Sequence, residues 1–275
     1  MKKSKEQRIY KKMTQWVTFG FGVLALRWLA SAKLPIQRDH IRIRSPKVQR
    51  PIRLALLTDT HSSRFGRNHC QLTRLLEDAS PDLMLLAGDI FDDVRDNRAT
   101  KEMLPLLSRI APTFYSSGNH DQVYSGFSKI PETLARHGIE FMDGRSQMIT
   151  IRDQSILLSG VADPQNDRQI YSDHLKRLPK SEAFHLVLSH RPHYLQAYAE
   201  TGADLFVSGH AHGGQWRVLG HGIYSPGQGL FPKYTKGLHT LKDTHLVVSP
   251  GLMRNYLPRL FNPPTVVIID LVEAR

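Results

Sequence analysis

Five short apolar segments of this 275-residue chain each run directly into a cluster of polar residues. The segments and the motifs after them are IRLALL (52–57) before TDTH, LMLLA (83–87) before GDIFDD, TFYSS (113–117) before GNHD, FHLVLS (184–189) before HRPH, and DLFVS (204–208) before GHAHGG. Helical patterns at 68–79, 97–110 and 191–201 lie between them. Apolar runs that alternate with helices predict buried, largely parallel strands. In such sheets ligands bind beyond the carboxyl ends of the strands, where all five motifs fall.

The spacing of the first three motifs supports this interpretation. Asp59, Asp89 and Asn119 are thirty residues apart in each step, about the length of one strand–helix–strand unit. A helix cap explains a polar residue after one strand, but it explains five such motifs with difficulty. Residues 139–161 have the pattern of antiparallel strands, and the C-terminal part has β-rich runs with hairpin-like turns. The sequence therefore predicts an α/β protein in which two sheets pack face to face with helices outside.

The side chains of these motifs are typical of a metal site. His210 and His212 flank a single residue in a glycine-rich turn, and alternate residues of an extended chain point the same way. Imidazole, carboxylate and amide oxygen suit borderline transition metals, whereas Mg and Ca sites are mostly oxygen. The candidates are too many for one tetrahedral zinc, so they predict two ions about 3.5–4 Å apart that share a carboxylate. The candidate residues are Asp59, His61, Asp89, Asn119, His120, Asp121, His190, His210 and His212.

The ordered blocks DTH, GDIFD, GNHD, SH and GHAH resemble the pattern DxH, GDxxD, GNHD/E, H and GHxH of the calcineurin-like metallophosphoesterase superfamily. One block alone is weak evidence, but all five occur in order across residues 59–212. LSHRP, GHAHGGQ and the C-terminal GLFPKYTKGLH and LPRLFNPP are most similar to a bacterial branch of membrane-associated or exported phosphodiesterases. That branch includes one type of UDP-2,3-diacylglucosamine hydrolase of lipid A synthesis. VSPGLMRNYLPRLF lacks the SRGLG that relatives often carry, which leaves the substrate contacts near Gly251 open. The resemblance implies a four-layer α/β/β/α sandwich of two mixed sheets.

The same resemblance implies a role for each candidate side chain. The first metal would be bound by Asp59, His61 and His212, and the second by Asn119, His190 and His210, with Asp89 bridging. His120 would lie near the phosphate and donate a proton or hydrogen bond to the leaving side, oriented by Asp121. Asp92 would support the loops rather than touch a metal.

The implied reaction is hydrolysis of a phosphodiester or pyrophosphate by a metal-bridging hydroxide. The metals would be two divalent transition ions, Mn, Zn or Fe, with Mn favoured. A lipid- or nucleotide-linked substrate such as UDP-2,3-diacylglucosamine is the preferred class. The alternatives are a nuclease or phosphomonoesterase of the same superfamily, or a non-catalytic metal-binding scaffold, which would not need the His120–Asp121 pair.

Charge and the N-terminal segment bear on the partners and the location. The chain has 37 Lys and Arg against 25 Asp and Glu, a net charge of +12 that favours anionic partners. These include phosphorylated small molecules, anionic lipid and nucleic acid, although no separate DNA-binding module supports the last. The single Cys70 excludes an intrachain disulfide.

The N-terminal segment, residues 1–32, combines six Lys and Arg within residues 1–12 with the apolar run WVTFGFGVLALRWLASA. It fits an uncleaved membrane anchor, a cleaved signal peptide or an interfacial helix, because the run is shorter than the roughly 20 apolar residues of a full span. The protein would then be membrane-associated or exported. Seven more Lys and Arg in residues 33–53 leave the side of the membrane undecided. Residues 33–50 are predicted to be a basic linker with an edge strand at HIRIR (40–44), before a phosphoesterase domain at 51–275.

Overall fold

The computed structural model describes residues 12–23, 25, 35–165, 168–254 and 259–274. Residues 12–23 are helical and expose bulky apolar side chains, among them Trp16, Phe19 and Phe21. The rest of the N-terminal segment lies outside the described residues, apart from residue 25. In the described parts of the chain, none of the helices has the length and apolar character needed to cross a membrane.

The elements alternate as the apolar runs predict. The strands are β1 (Gln37–Ser45), β2 (Ile52–Leu57), β3 (Leu83–Ala87), β4 (Thr113–Ser116), β5 (Ile139–Phe141), β6 (Ser146–Ile151), β7 (Gln154–Val161), β8 (Phe184–Ser189), β9 (Leu205–Ser208), β10 (Arg217–Val218), β11 (His221–Gly222), β12 (Tyr224–Ser225), β13 (Gly229–Leu230), β14 (Gly237–Leu241), β15 (Thr244–Val248) and β16 (Thr265–Glu273). The helices of the folded body are α1 (Cys70–Ala79), α2 (Arg98–Ile110), α3 (Asn119–Val123), α4 (Ile130–Ala135), α5 (Arg168–Lys176) and α6 (Leu195–Tyr198).

Two mixed sheets contain most of the strands. The first sheet has the order β1-β16-β2-β3-β4-β5, and all its neighbours are parallel except β16 and β2. The second sheet has the order β14-β15-β9-β8-β7-β6, with antiparallel pairs at its two edges and parallel strands between. The strand expected at residues 40–44 is the edge strand β1, which pairs with β16.

Three apolar clusters separate four layers. One fills the space between the sheets, where Leu56 and Leu85 of the first sheet meet Leu186 and Val207 of the second. Another joins the outer face of the first sheet to α1, α2 and α4. The third joins the second sheet to α5 and α6. The structure is thus the α/β/β/α sandwich of two mixed sheets that the sequence predicted.

The prediction for residues 139–161 was partly wrong. β6 and β7 are antiparallel as expected, but β5 pairs in parallel with β4 in the other sheet. The reason is the intervening helix α4, which returns the chain to the start of the sheet so that β5 runs in the same direction as β4. This arrangement leaves the carboxyl ends of β2, β3 and β4 facing those of β8 and β9. There Asp59 accepts a 2.9 Å hydrogen bond from the backbone amide of His210.

Candidate metal centre

Most of the expected metal ligands lie on unusual backbone. Five of the seven have positive φ, which only a few per cent of non-glycine residues adopt, although Asn, Asp and His do so more often than others. They are Asp59 (51°), His61 (43°), Asp89 (55°), His210 (62°) and His212 (45°). Such conformations persist only where the surroundings impose them, and they concentrate at functional sites.

Glycines beside the ligands let the two sheets approach this closely. A Cβ atom at Gly118 would collide with the carboxylate of Asp89, and one at Gly209 with that of Asp59. A Cβ at Gly88, where φ is +88°, would collide with the ring of His190. The glycines in GDIFDD, GNHD and GHAHGG are therefore required by the packing of the site.

The ligand side chains form two overlapping groups. The first comprises Asp59, His61, Asp89 and His212, and the second Asp89, His190 and His210. Within each group, one nitrogen or oxygen atom per residue lies within 4.8 Å of those of the others. Asp89 belongs to both groups, which is the position of a bridging carboxylate.

Several polar atoms at this point are buried without a hydrogen bond among the described residues. These atoms are Asp59 Oδ2, Asn119 Oδ1, His210 Nε2 and His212 Nδ1. Buried polar groups are normally hydrogen-bonded because desolvating them is costly, so a cluster of exceptions indicates a missing partner. Carboxylate, amide oxygen and neutral imidazole are the donor set of divalent transition metals, and the residues present therefore fit two such ions. Asn119 begins α3, and its Oδ1 is one of these buried atoms.

Two of the histidines are held in a definite tautomer by their other ring nitrogen. His190 Nδ1 donates to the carbonyl of Ala87 at 2.8 Å, and its Nε2 lies 3.0 Å from Asp89 Oδ2. His61 Nδ1 donates to Asp92 at 3.2 Å. In each case the outer hydrogen bond leaves Nε2 for the metal side, as is usual for metal-binding histidines. Asp92 thus acts through His61, consistent with the supporting role expected for it.

His120 lies at the entrance of the site. Its ring stands edge-on to that of His61, with 4.7 Å between the ring centres. A cavity of about 260 Å³ opens here, and it is lined by His61, Asp93, Val94, His120, His212, Gln215, Tyr224, Pro226 and Met253. His120 is therefore beside the first ligand group and in reach of a molecule bound in the cavity.

A profile of the Calcineurin-like phosphoesterase family matches residues 52–214, which is more than half of the chain. The chain belongs to this family. Phosphodiesterase YaeI of Escherichia coli K12 is 32% identical over 237 residues, which cover 81% of this chain and 83% of that protein. The uncharacterized metallophosphoesterase YkuE of Bacillus subtilis is 27% identical over 202 residues, covering 71% and 70%. The crystal structure of TT1561 of Thermus thermophilus shares the fold, with a TM-score of 0.52 at 12% identity over 74% of this chain and 90% of that one.

Family and geometry together make the protein a metal-dependent phosphohydrolase that holds two divalent ions. The electrostatics of the phosphoesterase site agree. Although burial opposes it, the neighbouring His190 holds the pKa of Asp89 well below its ordinary value. At His190, burial lowers the pKa, but the Asp89 carboxylate outweighs this effect and raises the pKa of the imidazole to about 10. Without metals, the positive charge beside Asp89 is therefore the proton on His190, which a divalent cation would displace on binding.

The two histidines of GHAHGG behave differently from His190. Burial lowers the pKa of His212 to about 4. Burial, reinforced by the charge of His190, holds the pKa of His210 well below its ordinary value. Both rings are therefore neutral at physiological pH, which is the form that binds metal.

The role expected for Asp121 was wrong. Its carboxylate does not contact His120 but accepts hydrogen bonds from four backbone amides. The donors are the amides of Asp89, Ile90, Phe91 and Gly118, at 2.6–3.1 Å. Burial and the nearby Asp89 carboxylate raise the pKa of Asp121 to about 7. Asp121 therefore fixes the loop that carries Asp89, because three of the four amides belong to that loop.

The partner of His120 is Asp93, which the sequence reasoning missed. His120 Nδ1 lies 2.7 Å from Asp93 Oδ1, and both side chains line the cavity. The only signal in the sequence is the third aspartate of GDIFDD, one residue beyond the GDxxD block. This contact directs Nε2 of His120 toward the cavity.

Proposed function

We propose that this phosphoesterase hydrolyses the phosphodiester or pyrophosphate bond of a lipid- or nucleotide-linked molecule at a membrane surface, with manganese as the favoured metal. UDP-2,3-diacylglucosamine represents this substrate class. The single observation that carries the proposal is that two ligand groups share Asp89, while His61 and His212 of the first group line a cavity together with His120. The similarity to the E. coli phosphodiesterase YaeI supports the diester chemistry.

The chemistry divides between the metals and the protein. When bound, two divalent ions supply an activated water and neutralise charge on the phosphoryl group. The chain itself supplies the group for the leaving side. His120, with Nδ1 held by Asp93, presents Nε2 to donate a proton or hydrogen bond to the departing oxygen.

The walls of the cavity favour a substrate with an apolar part. Val94, Tyr224, Pro226 and Met253 line it opposite the histidines. A substrate that is only a charged phosphate ester would leave these side chains in contact with water. The helical residues 12–23, with Trp16 and Phe19 exposed, add an apolar surface at the N-terminal end of the chain and support attachment to a membrane.

The test is a hydrolysis screen with the purified full chain in Mn²⁺, Zn²⁺ or Fe²⁺. Bis-p-nitrophenyl phosphate reports the diester reaction, and UDP-2,3-diacylglucosamine, phospholipids and oligonucleotides report the substrate class. We expect turnover of the chromogenic diester and preferential turnover of a lipid-linked substrate. Preference for oligonucleotides would replace the proposal by a nuclease, and absence of turnover with two bound metals would favour a scaffold.

A further inference from the structure

Two short hairpins stand beside the cavity and expose bulky apolar side chains. β10 and β11 form the first hairpin, and β12 and β13 form the second. Leu219, in the turn of the first, is 94% exposed, while Leu230 and Phe231 at the end of the second are 70% and 76% exposed. Phe261 is 50% exposed. These four residues, Leu219, Leu230, Phe231 and Phe261, are named the apolar rim.

The rim is joined to the wall of the cavity through the second hairpin. Leu230 is the cross-strand partner of Tyr224, which lines the cavity together with Pro226. The backbone amide of Phe231 donates to the carbonyl of Ile223 at 2.9 Å. Whatever covers the rim therefore also lies at the opening above the metal site.

The backbone of the rim is as unusual as that of the metal ligands. Leu219, Phe231 and Phe261 have φ of 49°, 52° and 52°. Phe261 follows Leu260, whose carbonyl accepts from the amide of Arg217 and so ties this residue to the first hairpin. Positive φ is an outlier for bulky side chains, and Asn or Gly is preferred in a two-residue hairpin turn. Strained conformations of this kind point to a function when the exposed side chain makes no contribution to the core.

The charge around the rim indicates what it contacts. Residues 205–241, which include both hairpins, contain no Asp or Glu, but they contain Arg217, Lys233 and Lys236. Among these, Lys236 is paired with Asp39 at 2.7 Å. Apolar side chains set among basic ones fit the interface of an anionic bilayer. A second copy of this chain would instead bring two segments of the same positive charge together, which like-charge repulsion opposes.

We propose that the apolar rim inserts into the surface of an anionic lipid bilayer and holds the opening of the cavity against it. The inference rests on the proposed function for its substrate, which becomes a phosphoester embedded in that bilayer. One weak apolar anchor gives only marginal, reversible membrane binding, and a second signal makes it stable. Residues 12–23 provide one such signal, and the rim provides the second.

The test places a reporter on the rim of the full chain. In a Cys70→Ser background, Leu219→Cys carries an environment-sensitive fluorophore, and vesicles of phosphatidylglycerol or phosphatidylcholine are added. Lys242→Cys is the matched control, because it is also an exposed hairpin-turn residue with positive φ. We expect a blue shift and an increase in emission at position 219 with phosphatidylglycerol, and no shift at position 242. Equal responses at both positions, or vesicle binding without a response at 219, would overturn the proposal.

A second measurement removes the apolar groups. Leu219→Ser/Phe231→Ser should weaken binding of the full chain to phosphatidylglycerol vesicles about tenfold. Met148→Ser, which removes a 55% exposed side chain from the edge strand β6, should not. Hydrolysis of bis-p-nitrophenyl phosphate should be unchanged in both, since none of these residues lines the cavity. A fluorescence change without vesicles that grows with protein concentration would assign the rim to a second copy and overturn the proposal. If the protein gives the expected vesicle responses but cleaves none of the tested esters, the proposed function is rejected. The insertion of the rim into the bilayer is then still supported.

Discussion

The two sheets contribute different chemistry to the metal centre. The first sheet supplies the oxygen ligands, Asp59, Asp89 and Asn119, together with His61 and the donor His120. The second sheet supplies histidines alone, which are His190, His210 and His212. Each of the two ligand groups contains residues from both sheets, so neither sheet forms a complete group. The metal centre therefore depends on how the sheets pack, and the metals in turn join the two halves of the fold.

The bridging carboxylate Asp89 gives the strongest test of this dependence on both sheets. Asp89→Ala removes the one carboxylate that both groups share, so we expect loss of both ions and of about 10⁴-fold in kcat/KM on bis-p-nitrophenyl phosphate. Elemental analysis of the purified variant, with the rates, checks this. Asp143→Asn is the matched control, because Asp143 is a half-buried carboxylate that pairs with Ser116 and Ser117 rather than with the ligands. Full metal occupancy in Asp89→Ala would contradict the shared ligand.

The donor and the ligands on opposite sheets should fail in different ways. His120→Ala should keep both metals and lose about 10²–10⁴-fold on esters with poor leaving groups, the usual contribution of a general acid. The loss should be smaller with p-nitrophenolate, which departs without a proton. His210→Ala should weaken metal binding and slow all substrates alike. Rates on good and poor leaving groups, measured beside metal content, separate the two. Metal loss in His120→Ala with equal loss on both esters would make His120 a ligand.

The strands that carry the site, β8 and β9 as well as β2, β3 and β4, were more predictable than the turns that follow them. β2, β3 and β4 were placed to within one residue because each ligand directly follows a buried apolar strand, and the thirty-residue spacing repeats. The role of Asp121 was misassigned and Asp93 was missed, because both residues lie beyond the strand ends. There the chain direction is set by the positive φ of Asp89 and by the hydrogen bonds that Asp121 makes to backbone amides. Sequence spacing carries no information about such turns.

Asp93 offers a finer test of the first sheet. Asp93→Asn removes the carboxylate that lies 2.7 Å from His120 Nδ1. The His120 ring should then lose its orientation, while the protein keeps its metals. We expect about a tenfold loss in kcat on poor leaving groups, by analogy with other orienting contacts to histidine, and little loss on p-nitrophenyl esters. Asp93→Glu should restore part of the rate. Asp96→Asn, an exposed carboxylate nearby that pairs with Arg98, is the control. A uniform loss on all esters would mean that Asp93 stabilises the loop rather than orienting His120.

The smallest effect concerns a fourth buried histidine of the second sheet, which lies away from the metals. His185 in β8 is 2% exposed, and its Nε2 lies 2.8 Å from Ser159 Oγ. Burial lowers the pKa of His185 to about 4, so the folded chain keeps this ring neutral where the unfolded chain protonates it. Its contribution to stability is complete above the unfolded value near 6.5 and declines as pH falls toward 4.

Between pH 7.5 and pH 5, this difference in proton binding lowers the free energy of unfolding by about 2 kcal/mol. His185→Gln removes the titrating group, so the variant should lose about that much less stability than the parent over the same interval. Urea unfolding of both proteins at the two pH values, with metal content held equal, gives the double difference, which cancels the titration of the metal ligands. His40→Gln, on the exposed edge strand β1, should reproduce the pH dependence of the parent because folding does not bury its ring. The same loss in His185→Gln and in the parent would show that Ser159 and the surrounding strands accommodate the charged imidazole. Burial would then not keep His185 neutral. The contrast between this histidine and the three metal ligands of the second sheet would be lost.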